Sequence, residues 1–218
     1  MKKVWTKIVG IWGRLPLWAK IAIIVGIGVG IVLVLVARKR VAKTEWINRA
    51  DVVFGPLSEE QKAAIRAIIN AFDVYGDRDT NKLAYILATA RHESRFRPIR
   101  EHRARPNTQA ALFDRQNRYW YSGYFGRGFV QLTWEKNYLK MSDIVGVDLV
   151  ANPDKALEVP IAAKILVVGM MEGMFTRRAL SEFINEQEQD YYSARKTVNG
   201  LDRAERIQGY ALALVQGA

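Results

Sequence analysis

The chain has 218 residues, 50% of them hydrophobic, which is enough for one globular domain with a buried core plus an extension. It contains no cysteine, which excludes a disulfide framework, a thiolate metal site and a cysteine nucleophile. The formal net charge of +11 is uneven, because residues 1–43 hold nine of the 33 Lys and Arg residues and no acid. The remainder is close to neutral, so nucleic acid is not an expected partner.

The N-terminal segment has the pattern of a membrane anchor. Residues 1–16 mix lysines with tryptophans, which is typical of a segment at the lipid headgroups. The run IAIIVGIGVGIVLVLVA, residues 21–37, is uncharged and reaches membrane length when residues 17–20 are included. We therefore predict a transmembrane anchor or signal-anchor at residues 17–37, with the lipid bilayer as a partner. A cleaved signal peptide is the alternative, but the run lacks a small-x-small cleavage site and an Arg-Lys-Arg triplet follows it.

Residues 38–55 are basic and polar and are predicted to form a linker to a domain at residues 56–218. Ser58 and Gln61 have the spacing of a capping box at the start of a helix. The apolar positions that follow have helical spacing, and they are Leu57, Ile65, Ile68, Ile69 and Phe72. Further helices are predicted from Asn81 to Arg97, in ALEVPIAAKILVVGMMEGMF and in residues 204–215. No segment shows sustained strand alternation, so the predicted domain is mainly α.

Two glutamates are candidates for acid and base catalysis. In KLAYILATARHESRF, Glu93 continues an apolar helical stripe, and such a position raises a carboxyl pKa by desolvation, as a general acid requires. The alternative is a solvated glutamate paired with Arg97, four residues on. Pro98 disfavours a helix before it, so Glu101 is expected on a loop that can turn back across a cleft. A carboxylic acid and a carboxylate on separate elements is the arrangement of inverting glycosidases.

Metal and cofactor chemistry is not expected. His92 and His102 lie beside these glutamates, but the sequence lacks the second helical histidine of H-E-x-x-H. Local hydrogen bonding or packing is the preferred interpretation of both histidines. We predict no metal site and no cofactor.

The segments HES, Glu101 and YFGRGFVQLTWEKNY together resemble the family 19 glycoside hydrolases, the chitinase class I enzymes, and related phage endolysins of the lysozyme-like superfamily. The resemblance covers roughly residues 56–215 and is supported by NPDKALEVPIAAKI and ARKTVNG further along. It implies a mainly α, lysozyme-like domain with two lobes and a cleft, preceded here by one transmembrane helix.

The resemblance also implies roles for individual residues. Glu93 would be the general acid, Glu101 the general base, and Thr133 would hold the attacking water. The expected substrate-binding residues are Gln131, Asn137, Arg127, Tyr124, Trp120, Asn199 and Arg206. Trp120 lies in RYWY, within a polar loop, and is the candidate sugar platform, although core packing is an equal alternative for each aromatic residue.

The expected substrate is peptidoglycan. The chain lacks the cysteines of plant-type chitinases, and residues 91–127 carry nine arginines against three acids. Such a charge suits an anionic polymer better than neutral chitin. We therefore predict a peptidoglycan hydrolase of the phage endolysin or lysozyme type that cuts β-1,4 bonds between amino sugars. A chitinase, a non-catalytic cell-wall-binding module and a lytic transglycosylase are alternatives.

The substrate then sets the expected location. The N-terminus would be cytoplasmic and the catalytic domain periplasmic, or the anchor would lie in a phage virion membrane. Release of the anchor from the bilayer and permanent attachment both fit the sequence.

Overall fold

The computed structural model describes residues 24–26, 29, 31–32 and 43–217. It divides into two units, Met1–Glu45 and Trp46–Ala218. The predicted interfacial segment, residues 1–16, and most of the predicted anchor, residues 17–37, lie outside the described residues. Of the helices that the described residues form, none has the length and apolar character needed to cross a bilayer.

The second unit is mainly helical, as predicted. Its α-helices are α1 (43–54, which begins in the first unit), α2 (Glu59–Tyr75), α3 (Thr80–Ser94), α4 (Ala110–Asn117), α5 (Glu135–Val145), α6 (Val159–Met171) and α7 (Ala204–Gln216). Two-residue strands β1 (Ile99–Arg100) and β2 (Arg127–Gly128) form an antiparallel pair. Short 3-10 helices lie at Trp120–Ser122, Pro153–Leu157, Leu180–Glu182 and Ser193–Thr197.

Helix α2 begins as the sequence predicts. The Ser58 hydroxyl accepts a hydrogen bond from the Gln61 amide, and the Gln61 side chain accepts one from the Ser58 amide, which completes the capping box. The apolar stripe predicted for this helix is buried. Local sequence alone therefore places the start of this helix and the face that it turns to the core.

The predicted linker, residues 38–55, differs from the structure, because residues 43–54 are helical. Ile47 and Ala50 are buried in the main core, and the Arg49 guanidinium donates to the carbonyl oxygens of Leu214 and Val215 near the end of α7. The sequence pattern does not indicate this helix, because the helix buries only a narrow apolar face. Residues 46–54 of helix α1 are thus part of the folded domain.

Helix α3 ends three residues before the predicted Arg97. Arg95 and Phe96 both have left-handed backbone angles, with φ of 53° and 60°. The turn places the Phe96 ring in the core, where it is 1% exposed. Burial of this ring offsets the cost of a left-handed bulky residue, and the chain then enters β1.

Two hydrophobic clusters form the core. The larger one joins α1, α2, α3, α6 and α7, with α2 packed on α6 and α3 packed on α7. The smaller one joins α5, the 3-10 helix Pro153–Leu157 and the outer face of α6 around Tyr138, Met141, Leu149 and Ile165. Helix α6 contributes to both clusters.

The strand pair positions the candidate site. Ile99 is paired with Gly128 and Arg100 with Arg127. The Glu101 amide continues this pairing by donating to the Gly126 carbonyl at 2.8 Å. The strand pair therefore brings Glu101 to the Gly-Arg-Gly segment, whose Gly126 is 25 residues distant in sequence.

Candidate active site

Glu93 lies in the last turn of α3 and is held by an arginine from the far end of the chain. Its side chain is 20% exposed, and its Oε1 accepts a hydrogen bond from Arg195 Nη1 at 2.5 Å. Arg195 is 3% exposed, and its Nε also donates to the Asp202 carbonyl at 3.0 Å. The alternative partner from sequence, Arg97, is exposed and does not form this ion pair. Oε2 of Glu93 has no hydrogen-bond partner within residues 43–217, so it is the oxygen left to meet a ligand.

His92 precedes Glu93 and stays uncharged more readily than an exposed histidine. Burial lowers its pKa below the ordinary value of 6.5, the Glu93 carboxylate opposes this, and the nearby Arg195 and Arg206 charges reinforce it. His92 is thus a neutral neighbour of the Glu93 pair near neutral pH. Among the residues that the structure describes, no three His, Asp or Glu side chains are grouped so that they could hold a metal ion together.

Glu101 lies on the loop directly after β1, as predicted, and its carboxylate accepts three hydrogen bonds. Oε1 accepts from Tyr119 OH at 2.7 Å and from Gln116 Nε2 at 2.9 Å. Oε2 accepts from the Gly126 amide at 2.8 Å. A carboxylate has about four acceptor positions, so one position on Oε2 is left for a water molecule.

Tyr119 and Gln116 are themselves fixed. Gln116 is 1% exposed and also contacts the backbone of His102 and Ala104. Burial, together with the hydrogen bond to Glu101, raises the pKa of Tyr119 to about 12, so its hydroxyl remains a donor at neutral pH. The Glu101 carboxylate is therefore held by groups that do not change their protonation state in the working range.

Gly126 brings Glu101 and Gln131 together. A Cβ atom at this glycine would come within 2.7 Å of Gln131 Oε1 and 3.2 Å of Glu101 Cβ. Gln131 has a left-handed φ of 56°, and its Nε2 donates to the carbonyls of Ile99 and Gly128 at 3.0 and 3.3 Å. The side-chain amide nitrogen thus links the two strands, and only Oε1 is left to accept a hydrogen bond from a ligand.

Thr133 and Asn137 follow in a short chain of contacts. The Thr133 hydroxyl donates to the Gln131 carbonyl at 2.8 Å, and Asn137 Nδ2 donates to the Thr133 carbonyl at 2.7 Å. Since the hydroxyl proton of Thr133 is used, its Oγ1 is left as an acceptor. Glu101, Gly126, Gln131, Thr133 and Asn137 therefore form one connected group.

The comparisons with known proteins decide the family. The model of glycoside hydrolase family 19, described as chitinase class I, matches residues 62–172, which is about half of the chain and includes Glu93, Glu101 and Thr133. The chain belongs to glycoside hydrolase family 19. It is therefore a glycosidase.

Two further comparisons complete the findings. A solved structure of a bacterial family 19 chitinase is similar to this chain, with 17% sequence identity, a TM-score of 0.48, and coverage of 77% of this chain and 93% of the other. A search of curated proteins finds no match.

In this family 19 enzyme the predicted substrate-binding Arg127 is a buried structural residue. It is 5% exposed, and its Nε donates to Asp154 Oδ1 at 2.8 Å. Its Nη1 donates to the carbonyls of Gly123 and Phe125 and to the Tyr138 hydroxyl. The carboxylate that Arg127 contacts is that of Asp154, within the protein itself. Its side chain is buried at the Gly-Arg-Gly turn, and the hydrogen bonds that it makes within the described residues all go to the protein itself.

Tyr124 and Trp120 also pack within the protein. Tyr124 contacts the Tyr138 ring, and its hydroxyl donates to the Val150 carbonyl at 3.2 Å, so it serves the smaller core cluster. Trp120 is stacked on Phe125 at 4.5 Å and retains a partly exposed surface. Packing, the alternative stated above for every aromatic residue, accounts for Tyr124 and for one face of Trp120.

Asn199 and Arg206 lie outside the residues that the family 19 model matches. Asn199 is exposed, and its side-chain oxygen accepts from the Gly200 amide at 2.9 Å. Arg206 is exposed on α7 and lines a shallow surface cavity of about 390 Å³ with Tyr192 and residues 201–205. The charge of Arg206 helps to lower the pKa of His92, so Arg206 lies on the same side of the enzyme as Glu93.

Three residues of the site are missed by the sequence reasoning. Arg195 lies in ARKTVNG, where only Asn199 attracts attention, and Tyr119 lies in RYWY, where the neighbouring Trp120 is the more obvious candidate. Gln116 carries no motif at all. Their contacts with Glu93 and Glu101 span 102, 18 and 15 residues, so no local pattern indicates them.

Proposed function

We propose that this family 19 glycosidase is a peptidoglycan hydrolase of the phage endolysin type, which cuts β-1,4 bonds between amino sugars with Glu93 as acid and Glu101 as base. The proposal includes a lysozyme-like domain whose two lobes flank a cleft, an arrangement that the two core clusters support. Residues 17–37 would anchor the enzyme in a membrane. The N-terminus would be cytoplasmic with the catalytic domain in the periplasm, or the anchor would lie in a virion membrane.

The acid step assigns separate tasks to the two oxygens of Glu93. Oε1 is taken by Arg195, whereas Oε2 has no partner within the described residues. Oε2 would carry the proton that passes to the glycosidic oxygen as the bond to the sugar breaks. Arg195 would fix the plane of the carboxyl group so that this oxygen faces the leaving group.

The base step follows from the hydrogen-bond capacity of Glu101 and Thr133. The one position left on Glu101 Oε2 would accept a proton from the attacking water. Thr133 Oγ1, whose own proton is donated to Gln131, would accept the second hydrogen of that water. The oxygen lone pair of the water is then directed at the sugar carbon, on the face opposite the leaving group in an inverting reaction.

The substrate assignment rests on one observation, the unpaired arginines around Glu101. Arg103, Arg105, Arg115 and Arg118 take part in none of the ion pairs within the described residues. The charges of Arg115 and Arg103 reach Tyr119, the donor to Glu101, where they oppose the rise of its pKa. Such a field attracts the peptide carboxylates of peptidoglycan and gives no advantage with neutral chitin.

The experiment is digestion of purified peptidoglycan by the full chain in detergent, with mass spectrometry of the products. Wild type and a matched control, Glu60→Gln on the exposed face of α2, should release fragments with new reducing ends, whereas Glu93→Gln and Glu101→Gln should release none. Anhydro ends would instead indicate transglycosylation, and binding without cleavage by wild type would indicate a cell-wall-binding module. Full activity of Glu101→Gln would contradict the two-carboxylate mechanism.

A chitinase is the second candidate, because the matching family model is described as chitinase class I. The same preparations should be incubated with chitin in parallel. Faster turnover of chitin than of peptidoglycan, at equal concentrations of cleavable bonds, would favour the chitinase.

A further inference from the structure

An arginine surrounded by aromatic rings lies near Glu101 and is not used by the proposed mechanism. The Cζ atom of Arg103 lies 4.2 Å from the ring centre of Phe113, 5.1 Å from that of Trp120 and 5.5 Å from that of Tyr121. We name these four residues the arginine–aromatic surface. The guanidinium charge lies within cation–π distance of all three rings, and this attraction restricts the side chain before any ligand arrives.

The hydrogen-bonding capacity of Arg103 is only partly used. Its Nη2 donates to Asn117 Oδ1, while its Nη1 has no acceptor among the described residues and is shielded from water. A shielded donor without an acceptor is unfavourable, and a carboxylate can relieve this by accepting two parallel hydrogen bonds from the guanidinium. Tyr121 is 82% exposed, so its ring can turn aside to admit such a group without disturbing the core.

The surface is electrostatically suited to an anion. Arg115 on α4 and Arg118 just after it are exposed and form no ion pair within the described part of the chain. Asp114 is an acid on the same helix, but it is exposed and pairs with none of these arginines. The excess positive charge is therefore open to an anionic ligand.

The surface is also directly coupled to the candidate base. Trp120 follows Tyr119 in the chain, and Tyr119 donates to Glu101 Oε1 at 2.7 Å. The charge of Arg103 reaches Tyr119 as well. A ligand on the arginine–aromatic surface would therefore lie beside the base and not on a remote face.

We infer that the arginine–aromatic surface binds a carboxylate of the peptide stem on the glycan that is being cut, with Arg103 as the recognition residue and Tyr121 as the movable cover. This inference rests on the proposed peptidoglycan substrate and names the part of that substrate which is recognised. An exposed aromatic ring beside a guanidinium matches a ligand with both an apolar sugar or alanine face and a charge.

Binding should be measured by calorimetry with full-length Glu93→Gln in detergent, a background in which the ligand is not consumed. The ligands are peptidoglycan fragments with intact stem peptides, and the same fragments after their carboxylates have been converted to amides. The native fragments should bind about tenfold more tightly than the amidated ones, as for loss of a hydrogen-bonded charge pair. Added Arg103→Gln should remove this difference, and Arg103→Lys should restore part of it.

A matched control is Arg66→Gln on the exposed face of α2, which removes the same charge elsewhere and should keep the preference. Equal affinity of the parent protein for native and amidated fragments would overturn the inference without any variant. A preference that survives Arg103→Gln would also overturn it. Should the native fragments be preferred through Arg103 while wild type releases no reducing ends from peptidoglycan, the proposed function fails and the inference stands.

Discussion

The ion pair between Glu93 and Arg195 yields the sharpest prediction, because its two members differ in burial. Arg195 is 3% exposed and Glu93 is 20% exposed. Replacing Arg195 by Gln leaves a carboxylate that still reaches water, whereas replacing Glu93 by Gln leaves a buried guanidinium with a neutral acceptor. Both changes remove the charge pair but retain a polar side chain at each position.

The magnitude follows from this burial. Removing one partner of a fully buried pair costs about 3–5 kcal/mol of unfolding free energy. Solvent contact of Glu93 reduces the cost, so we expect about 2–3 kcal/mol for Arg195→Gln. The double variant should lose about 1–2 kcal/mol less than the sum of the single variants, because the second change removes a charge that has already lost its partner.

Urea unfolding followed by tryptophan fluorescence measures all four proteins of this cycle. Arg195→Lys keeps the charge but lacks the second donor to the Asp202 carbonyl, so its stability should be intermediate. The turnover number of Arg195→Lys should fall more than its KM rises, since Glu93, the proposed acid, loses its fixed orientation. A coupling energy near zero, or an Arg195→Gln protein as stable as wild type, would refute the reasoning.

Three further changes test the surroundings of the second carboxylate. Gly126→Ala should cost about 1–3 kcal/mol of stability, because the new methyl group meets Gln131 and Glu101. It should also abolish most activity. Thermal unfolding measures the stability and a cell-wall turbidity assay measures the activity. Tyr119→Phe should cost about 1.5 kcal/mol of unfolding free energy and lower turnover, while Glu101 keeps its other two donors. Urea unfolding measures the stability and initial rates measure the turnover. Hydrogen bonds from two arginines lower the pKa of the exposed Asp154 below 3.8, so its stabilisation is complete above that pH and is lost as the pH falls through the lowered pKa. Asp154→Asn should thus be about 0.5–1 kcal/mol less stable than wild type at pH 7, and urea unfolding at decreasing pH should show this difference shrinking once the pH falls below 3.8.

The sequence predicts those parts of the fold that are encoded by neighbouring residues. The capping box of α2 and its apolar stripe depend on contacts within about two turns, and both are confirmed. The loop position of Glu101 follows in the same way from the nearby proline. Helix α4, with 8 residues, and the two-residue strands are too short for a sequence pattern to indicate them, and the 11-residue helix α5 is also not among the predicted helices.

Residue roles were harder to predict than positions, since the deciding contacts are distant in sequence. The sequence pattern places Glu93 on the correct helix, but its ion-pair partner Arg195 lies 102 residues away. Arg127 is polar and flanked by glycines, which suggests a ligand contact, but the fold encloses it between Asp154, two carbonyl oxygens of the turn and the Tyr138 hydroxyl. Burial distinguishes a structural arginine from one that binds a ligand, and the burial of a residue cannot be predicted from a single sequence.

The segment YFGRGFVQLTWEKNY therefore acts in this enzyme mainly as a scaffold. The guanidinium of Arg127 and the amide donors of Gln131 and Asn137 are engaged with the protein itself, and Gly126 leaves room for the carboxylate at its amide. Few polar atoms remain for chemistry in this region, chiefly one position on Glu101 Oε2 and the acceptor on Thr133. A site with so few free atoms depends on their orientation, because a small displacement of a reacting group can cost about a hundredfold in rate. Substitutions that loosen the scaffold without touching substrate should consequently lower turnover as much as removal of a ligand contact.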